Sequence, residues 1–170
     1  MATRKVIEGA RLMFRNFSGR EGQYNREGDR NFAVLIDDPQ LEKEMKKEGW
    51  NVKFLKPRDE DDVEQAYVQV SVNYKGRPPK IVLLSSRSDR QVRTDLAERD
   101  VEILDWIEIA NVDLILNPYE WTVSGKSGIK AYLKSMFVTM DEDELDQKYN
   151  AVPYANEVAD EIEEDIEMED

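Results

Sequence analysis

The stretch that most restricts what this chain can become runs from Asn111 to Met140. It holds Val112-Asp-Leu-Ile-Leu-Asn-Pro-Tyr-Glu-Trp121, then Ser124-Gly-Lys-Ser-Gly128, then Ile129-Lys-Ala-Tyr-Leu-Lys-Ser-Met-Phe-Val138. Both flanks are rich in β-branched and aromatic residues, with two glycines between them. The pattern predicts a β-hairpin closed by a longer, glycine-containing loop. Side chains alternate faces along a strand. Val112, Leu114 and Leu116 therefore share one face of the first strand, and Asn117, Tyr119 and Trp121 share the other. In the second strand Ala131, Leu133 and Phe137 fall together, opposite Lys130, Tyr132 and Lys134. One face can enter a core while the other displays aromatics between lysines. Rings that stack on bases, beside cations that meet phosphates, are what a single-stranded nucleic-acid surface requires. An ordinary solvated strand with Trp121 capping the core has the same pattern, so the hairpin alone does not decide.

Charge narrows the choice once it is located. The chain of 170 residues has a net charge of −13. Residues 1–140 hold 23 basic and 23 acidic residues and sum to zero, while residues 141–170 hold 14 acidic residues and Lys148. A neutral body with a strongly acidic end is expected, and acidic ends of this kind are usually interaction segments. This places a domain at 1–140 and a flexible acidic tail at 141–170. There is no cysteine and no histidine, which removes disulfides, thiolate metal sites, and the commonest general base and metal ligand. No apolar run has the length of a membrane span, and Met-Ala-Thr-Arg-Lys does not open a signal peptide. The expectation is a soluble, cytoplasmic protein with no membrane partner.

In chain order, Ala10–Phe17 reads as a strand, and Ser18–Asp29, with three glycines, as a mobile basic loop carrying Arg20 and Arg26. Arg30–Ile36 is the next strand. Asp38-Pro39 is a helix start, with Leu41 and Met45 at helical spacing and Gly49 as the stop. Asn51–Leu55 is a short strand, and Asp59–Asp62 an acidic turn. Ala66–Tyr74 alternates cleanly, with Val68, Val70 and Val72 inward and Tyr67, Gln69, Ser71 and Asn73 outward. Lys80–Ser86 is another strand, Ser85–Asp100 a polar segment, and Asp100–Ile107 leans towards a short helix. Beyond Asp141 the alternation fails and the composition is that of a disordered segment. Val158, Ile162 and Ile166 are four apart, so a partner could fold that end into a one-faced helix.

Catalytic chemistry is sought without result. Gly125-Lys-Ser127 resembles the end of a phosphate-binding loop, but Glu120 stands where the pattern needs glycine and the segment joins two strands. Asp105, Glu108 and Asp113 have no ligand spacing beyond what a chain with 36% charged residues offers by chance. No catalytic residue, metal site or cofactor is assigned.

Several segments, taken in order, resemble a family of bacteriophage single-stranded DNA-binding proteins. They are Arg30-Asn-Phe-Ala-Val, Glu48-Gly-Trp-Asn-Val-Lys53, Gly76-Arg-Pro-Pro-Lys80, Asn111-Val-Asp-Leu-Ile, Asn117-Pro-Tyr-Glu-Trp121 and Ile129-Lys-Ala-Tyr-Leu133. The resemblance spans roughly Arg11 to Met140. It implies an oligonucleotide-binding (OB) β-barrel and a role in DNA replication or recombination. It also implies an acidic tail that recruits partner enzymes, although this chain ends Ile166-Glu-Met-Glu-Asp170, without the terminal aromatic of the bacterial cellular proteins. The strand count agrees with a mainly β, OB-fold-like Greek-key barrel with one or two short helices and a disordered acidic tail.

Tyr119, Trp121 and Tyr132 are the stacking candidates. Lys126, Lys130, Lys134, Lys80 and Arg87 are the phosphate candidates, with Arg20 and Arg26 closing over the strand. Val158, Ile162 and Ile166 are the candidate anchor for a replication or recombination protein, and a homo-oligomer is compatible with the pattern. The leading expectation is a non-enzymatic, sequence-tolerant single-stranded DNA-binding protein, acting in the host cytoplasm if phage-encoded. Two other readings stay open: an acidic DNA mimic or protein-binding inhibitor with no oligonucleotide affinity, and a carboxylate-metal nuclease.

Overall fold

The structure, a computed structural model, describes residues 2–56, 63–87, 90–149, 152–153 and 155. The acidic turn at Asp59–Asp62 and the Val158, Ile162, Ile166 stripe lie outside those residues. The strands are β1 (Lys5–Ile7), β2 (Leu12–Asn16), β3 (Arg30–Leu35), β4 (Val52–Leu55), β5 (Gln65–Val72), β6 (Lys80–Arg87), β7 (Arg90–Asp95), β8 (Ile109–Val123) and β9 (Lys126–Met140). Among the described residues there are also two helices, α1 (Pro39–Glu48) and α2 (Glu144–Tyr149), and a 3-10 turn at Val101–Asp105. All nine strands join one open, mixed sheet in the order β1-β8-β9-β5-β3-β2. β4 pairs with β5, and β6 branches from β9 and carries β7. The mainly β expectation with short helices is what forms.

Local signals act where they were expected. The Asp38 carboxylate accepts the Gln40 N–H at 3.0 Å, Pro39 opens α1, and Gly49 closes it at φ 101° with its N–H on the Met45 and Lys46 carbonyls. Val68, Val70 and Val72 are buried, as their alternation requires. They join Phe32, Val34, Ile81, Leu114, Leu116, Met136 and Val138 in one core, closed off by Phe17, Met45, Leu96 and Leu104.

The hairpin departs from expectation at two points. Its turn is not the longer loop: Val123 pairs with Lys126, leaving only Ser124 and Gly125 between the strands. Both have positive φ, 51° and 77°. That is the two-residue type I′ geometry, whose twist matches the flanking strands. Phe137 is also not on the core face. Ile115 pairs with Ser135 but Leu116 pairs with Leu133, so Lys134 is an extra residue, a β-bulge. One inserted residue reverses the alternation beyond it. Ala131 and Leu133 point inward before the bulge, and Met136 and Val138 after it. Phe137 is turned to the outer face, under the Lys80 ammonium and the Arg93 guanidinium, each 5.7 Å from its ring centroid.

The bulge also marks where β9 changes partner. Ala131 and Tyr132 run parallel to β5, whereas Ser135 to Thr139 run parallel to β6. The polar segment after Ser85 contains β7, an edge strand paired residue for residue with β6, and β1 pairs with β8. Neither short strand has apolar alternation that a sequence reading would detect.

β1 is tied to α1 by Lys5, which is 4% exposed and lies between Glu44 and Glu48. Glu48 also accepts the Thr3 N–H at 2.6 Å. Burial pushes the Glu48 carboxyl up, but the Lys5 and Thr3 hydrogen bonds outweigh it and hold the group below its ordinary 4.5. A depressed carboxyl contributes stability that is complete above the ordinary value and is lost as pH falls through the folded value. Glu48→Gln is therefore expected to cost about 1–3 kcal/mol at pH 7. In denaturant titrations of both proteins, the gap should close as the pH falls below 4.5. A gap that stays constant down to strong acid would show that the charge on Glu48 contributes nothing.

Candidate nucleic-acid interface

The outer face of the β8–β9 hairpin is built from three cross-strand pairs. Trp121 lies opposite Gly128, Tyr119 opposite Lys130, and Asn117 opposite Tyr132. Tyr119 and Tyr132 meet edge to face at 5.5 Å, and the Lys130 ammonium is 5.2 Å from the Tyr132 ring centroid. Tyr119 is 55% exposed and Trp121 is 37% exposed. These are large rings on a wet surface, which a core-capping role does not explain. Gly128 seats the indole: a Cβ there would lie 2.8 Å from Trp121 Cζ2.

Two clefts flank this aromatic row. The first, about 780 Å³, is floored by outward residues of β3 and β5, among them Asn31, Gln69 and Ser71. Trp121, Lys130 and Tyr132 stand on one side and Tyr24 and Arg26 on the other. The second, about 570 Å³, is lined by Arg4, Asn73, Arg77, Pro78, Asn117, Tyr119, Tyr132, Leu133 and Lys134. Tyr132 and Asn73 belong to both, so the two clefts meet at Tyr132.

The loop between β2 and β3 walls the first cleft, and side-chain amides organise its backbone. Asn25 Nδ2 donates to the carbonyls of Arg20, Arg26 and Asp29, and its Oδ1 accepts from Asn31. Gly28 N–H donates to the Gly19 carbonyl at 2.8 Å, and a Cβ on Gly19 would meet the Gly28 backbone at 3.0 Å. The tip presents Tyr24, which is 94% exposed. At the base of the cleft the Arg30 guanidinium lies 5.6 Å from the Tyr74 ring centroid and pairs with Glu98 at 3.0 Å. Burial pushes the Tyr74 hydroxyl up to about 12, against the lowering effect of Arg30. Tyr74 is therefore a neutral phenol at any ordinary pH.

The expected site residues divide into groups. Tyr119, Trp121, Lys130, Tyr132, Lys134 and Arg26 are brought together around the two clefts. Lys126 stands at the hairpin tip, exposed and outside both clefts. Lys80 lies farther along the outer face over Phe137. Arg87 is the last residue of β6. Arg20 lines neither cleft; its guanidinium is 5.0 Å from the Trp106 ring centroid. Tyr24, Tyr74, Arg4 and Arg77 were missed. Tyr24 sits in a glycine-rich, basic loop whose pattern does not single out an aromatic, and Arg4 and Arg77 reach the site only because β1 pairs with β8 and the β5–β6 turn lies beside β9.

Ion pairing separates the cations by role. Lys5, Arg11, Arg30 and Lys46 have carboxylates within 3.2 Å. Arg4, Arg77, Lys80, Arg93, Lys130 and Lys134 have none among the described residues, and all six lie on or beside the outer face of β9. No group of three or more acidic side chains that could hold a metal ion occurs among the described residues, and no described helix is long and apolar enough to cross a membrane.

Because Gly128 seats the indole, Gly128→Ala is expected to displace Trp121 while leaving the fold intact. In two-dimensional NMR spectra the Trp121 indole N–H should shift, with those of Trp50 and Trp106 unmoved. Three unmoved indole signals would mean that the glycine is not what positions the ring.

The family model described as "Putative phage ssDNA-binding domain" matches residues 2–170. No curated protein matches the chain closely enough to count as a relative. Among solved structures, the single-stranded DNA-binding protein from bacteriophage Enc34 is similar at 10% identity, with a TM-score of 0.51 over 82% of each chain. The same protein in complex with ssDNA aligns at 11% identity and TM-score 0.49, over 82% of this chain and 88% of that one. Gp2.5, a single-stranded DNA binding protein encoded by bacteriophage T7, aligns at 12% identity and TM-score 0.39, over 90% of this chain and 99% of that one. The first of these likenesses supports the fold, and the family match spans almost the whole sequence. The chain belongs to the phage ssDNA-binding domain family.

Proposed function

We propose that this protein binds single-stranded DNA without base-specific readout, in phage DNA replication or recombination, and that it does so without catalysis. The observation that carries the reading is the outer face of the hairpin: Trp121 and Tyr119 exposed in a row with the half-buried Tyr132, interleaved with lysines that have no carboxylate partner among the described residues. Every base has a ring face, so stacking on Trp121, Tyr119 and Tyr132 tolerates any sequence, while Lys130, Lys134 and Arg26 meet the backbone. Lys126, Lys80 and Arg20 extend the positive surface beyond the two clefts, and Arg87, the last residue of β6, is a further phosphate candidate. The place of action is the host cytoplasm. Titration of labelled oligo(dT), with and without magnesium, is the direct test: saturable binding with the strand left intact is expected. Absence of binding, or magnesium-dependent strand loss, would overturn the reading.

Two substitutions separate the roles. Trp121→Ala is expected to weaken oligonucleotide binding by ~1–3 kcal/mol at unchanged salt dependence. Lys130→Ala should lower the slope of log K against log salt by about 0.7, the single-strand value for one phosphate contact. A folded Trp121→Ala protein with unchanged affinity would remove the indole from the interface.

The acidic tail, 141–170, follows the domain at 1–140 as a second functional part. Residues 157–170 hold nine carboxylates and no base, so deleting them takes the net charge from −13 to −4. A tethered polyanion has a high effective concentration at the unpaired cations of the hairpin and competes with DNA for them. When single-stranded DNA displaces it, the tail is released to dock on a replication or recombination protein, with Val158, Ile162 and Ile166 as the anchor. The shortened protein should bind oligonucleotides more tightly at low salt, and the advantage should shrink as the Debye length falls to about 8 Å near physiological salt. Equal affinities at low salt would show that the tail does not compete for the groove.

A further inference from the structure

The two clefts that meet at Tyr132 differ in charge and in chemistry. The first is lined by four cations (Arg26, Arg30, Lys75, Lys130) and three carboxylates (Glu27, Asp29, Glu98). Its positive charge is therefore almost balanced, and Arg30 is already held by Glu98 at 3.0 Å. The second is lined by three cations, Arg4, Arg77 and Lys134, and by no carboxylate. A phosphate gains little from a site whose cations are already compensated and more from one whose cations are not.

The remaining walls have the complementary bias. In the first cleft Asn51, Gln69 and Ser71 make no side-chain hydrogen bond among the described residues, so their polar ends are available to base edges. Trp121 stands on β8 and Tyr24 on the loop that leads into β3, at the two sides of a floor formed by β9, β5 and β3. Three strand spacings, roughly 14 Å, separate β8 from β3, which leaves room for bases against both walls. The second cleft has Tyr119 and Tyr132 along one border only.

We propose that the clefts divide the nucleotide between them. The first receives bases, with Tyr24 as a second stacking wall facing Trp121 and with Lys130 and Arg26 meeting the backbone where it borders that cleft, and the second receives most of the backbone phosphates, on Arg4, Arg77 and Lys134. The division rests on the single-strand reading above and adds to it a track. The strand crosses the hairpin at Tyr132, turning its bases towards the loop that carries Tyr24 and its phosphates towards Arg77. Tyr24 contributes to the affinity for bases and not to the affinity for charge. Arg77 does the reverse.

The test compares the full-length protein with its Tyr24→Ala, Tyr24→Phe and Arg77→Ala variants on two probes of equal length. One probe is oligo(dT); the other is a fully abasic strand with the same phosphates and no bases. Tyr24 is 94% exposed and the loop is closed by Asn25 and glycines, so Tyr24→Ala leaves the fold in place. Tyr24→Ala should weaken oligo(dT) binding roughly five- to a hundredfold, leave abasic binding and the salt slope unchanged, and be rescued by Tyr24→Phe. Arg77→Ala should weaken both probes by the same factor and lower both salt slopes by about 0.7. If wild-type protein binds neither probe, single-strand binding itself fails and the division with it. If wild type binds oligo(dT) but Tyr24→Ala is unchanged on it, or loses both probes equally, the division is wrong and single-strand binding stands.

Discussion

Everything in this molecule depends on one long pairing, two fifteen-residue strands, β8 and β9, held in antiparallel register from Ile109 to Met140. The pairing must bury one face completely and leave the other wet enough to work on. Strict alternation over fifteen residues would do this for one partner sheet only. The bulge at Lys134 bends β9, lets its near half pair with β5 and its far half with β6, and resets which side chains enter the core. Leu114, Leu116, Met136 and Val138 are buried as a consequence. The aromatic row at Trp121, Tyr119 and Tyr132 lies before the bulge on the outer face, so its exposure is set by the same register that fills the core.

Electrostatics then divides the surface. The body is neutral in sum, but its charges are not evenly mixed. Lys5 and Arg11 are consumed in ion pairs that tie β1 to α1 and β2 to the end of β3. Arg15 is spent on the carbonyls of Leu104 and Ile107, where it holds the 3-10 turn. Among the described residues, the cations on and beside the outer face of β9 make no ion pair. They remain available to a polyanion, and the acidic end of the chain is itself one. A neutral domain can thus present a locally positive track, which is what long-range attraction of a nucleic-acid strand needs.

Small residues shape the working surface as much as large ones. Gly128 lets the Trp121 indole lie flat on the opposite strand, and the close approach of Gly19 to Gly28 closes the loop that carries Tyr24. The Asn25 amide is occupied with carbonyls of its own loop and with Asn31. Its function is to fix where Tyr24 and Arg26 stand. The result is a cleft whose aromatic walls are placed by backbone contacts and not by packing in the core.

Much was legible in the residues alone because it is local. The cap at Asp38-Pro39, the stop at Gly49, the valine alternation of β5 and the neutral body with its acidic end are properties of neighbouring residues, and they survive any tertiary context. The lack of histidine and cysteine, and the alternation that brings Trp121, Tyr119 and Lys130 to one face, are of the same kind. Other features were decided by partners distant in sequence. Phe137 faces outward because β9 gains a residue against β8, which the hydrophobic pattern of β9 does not announce. Ser124 and Gly125 alone make the turn because the register of the whole hairpin demands it. β7 exists because β6 offers it an edge. Tyr24, Arg4 and Arg77 reach the site because loops and edge strands far apart in the chain converge on β9. Composition and alternation determine which side chains are available and which face they share. Only the pairing of strands decides which of them meet, because register is a relation between segments and no single segment contains it.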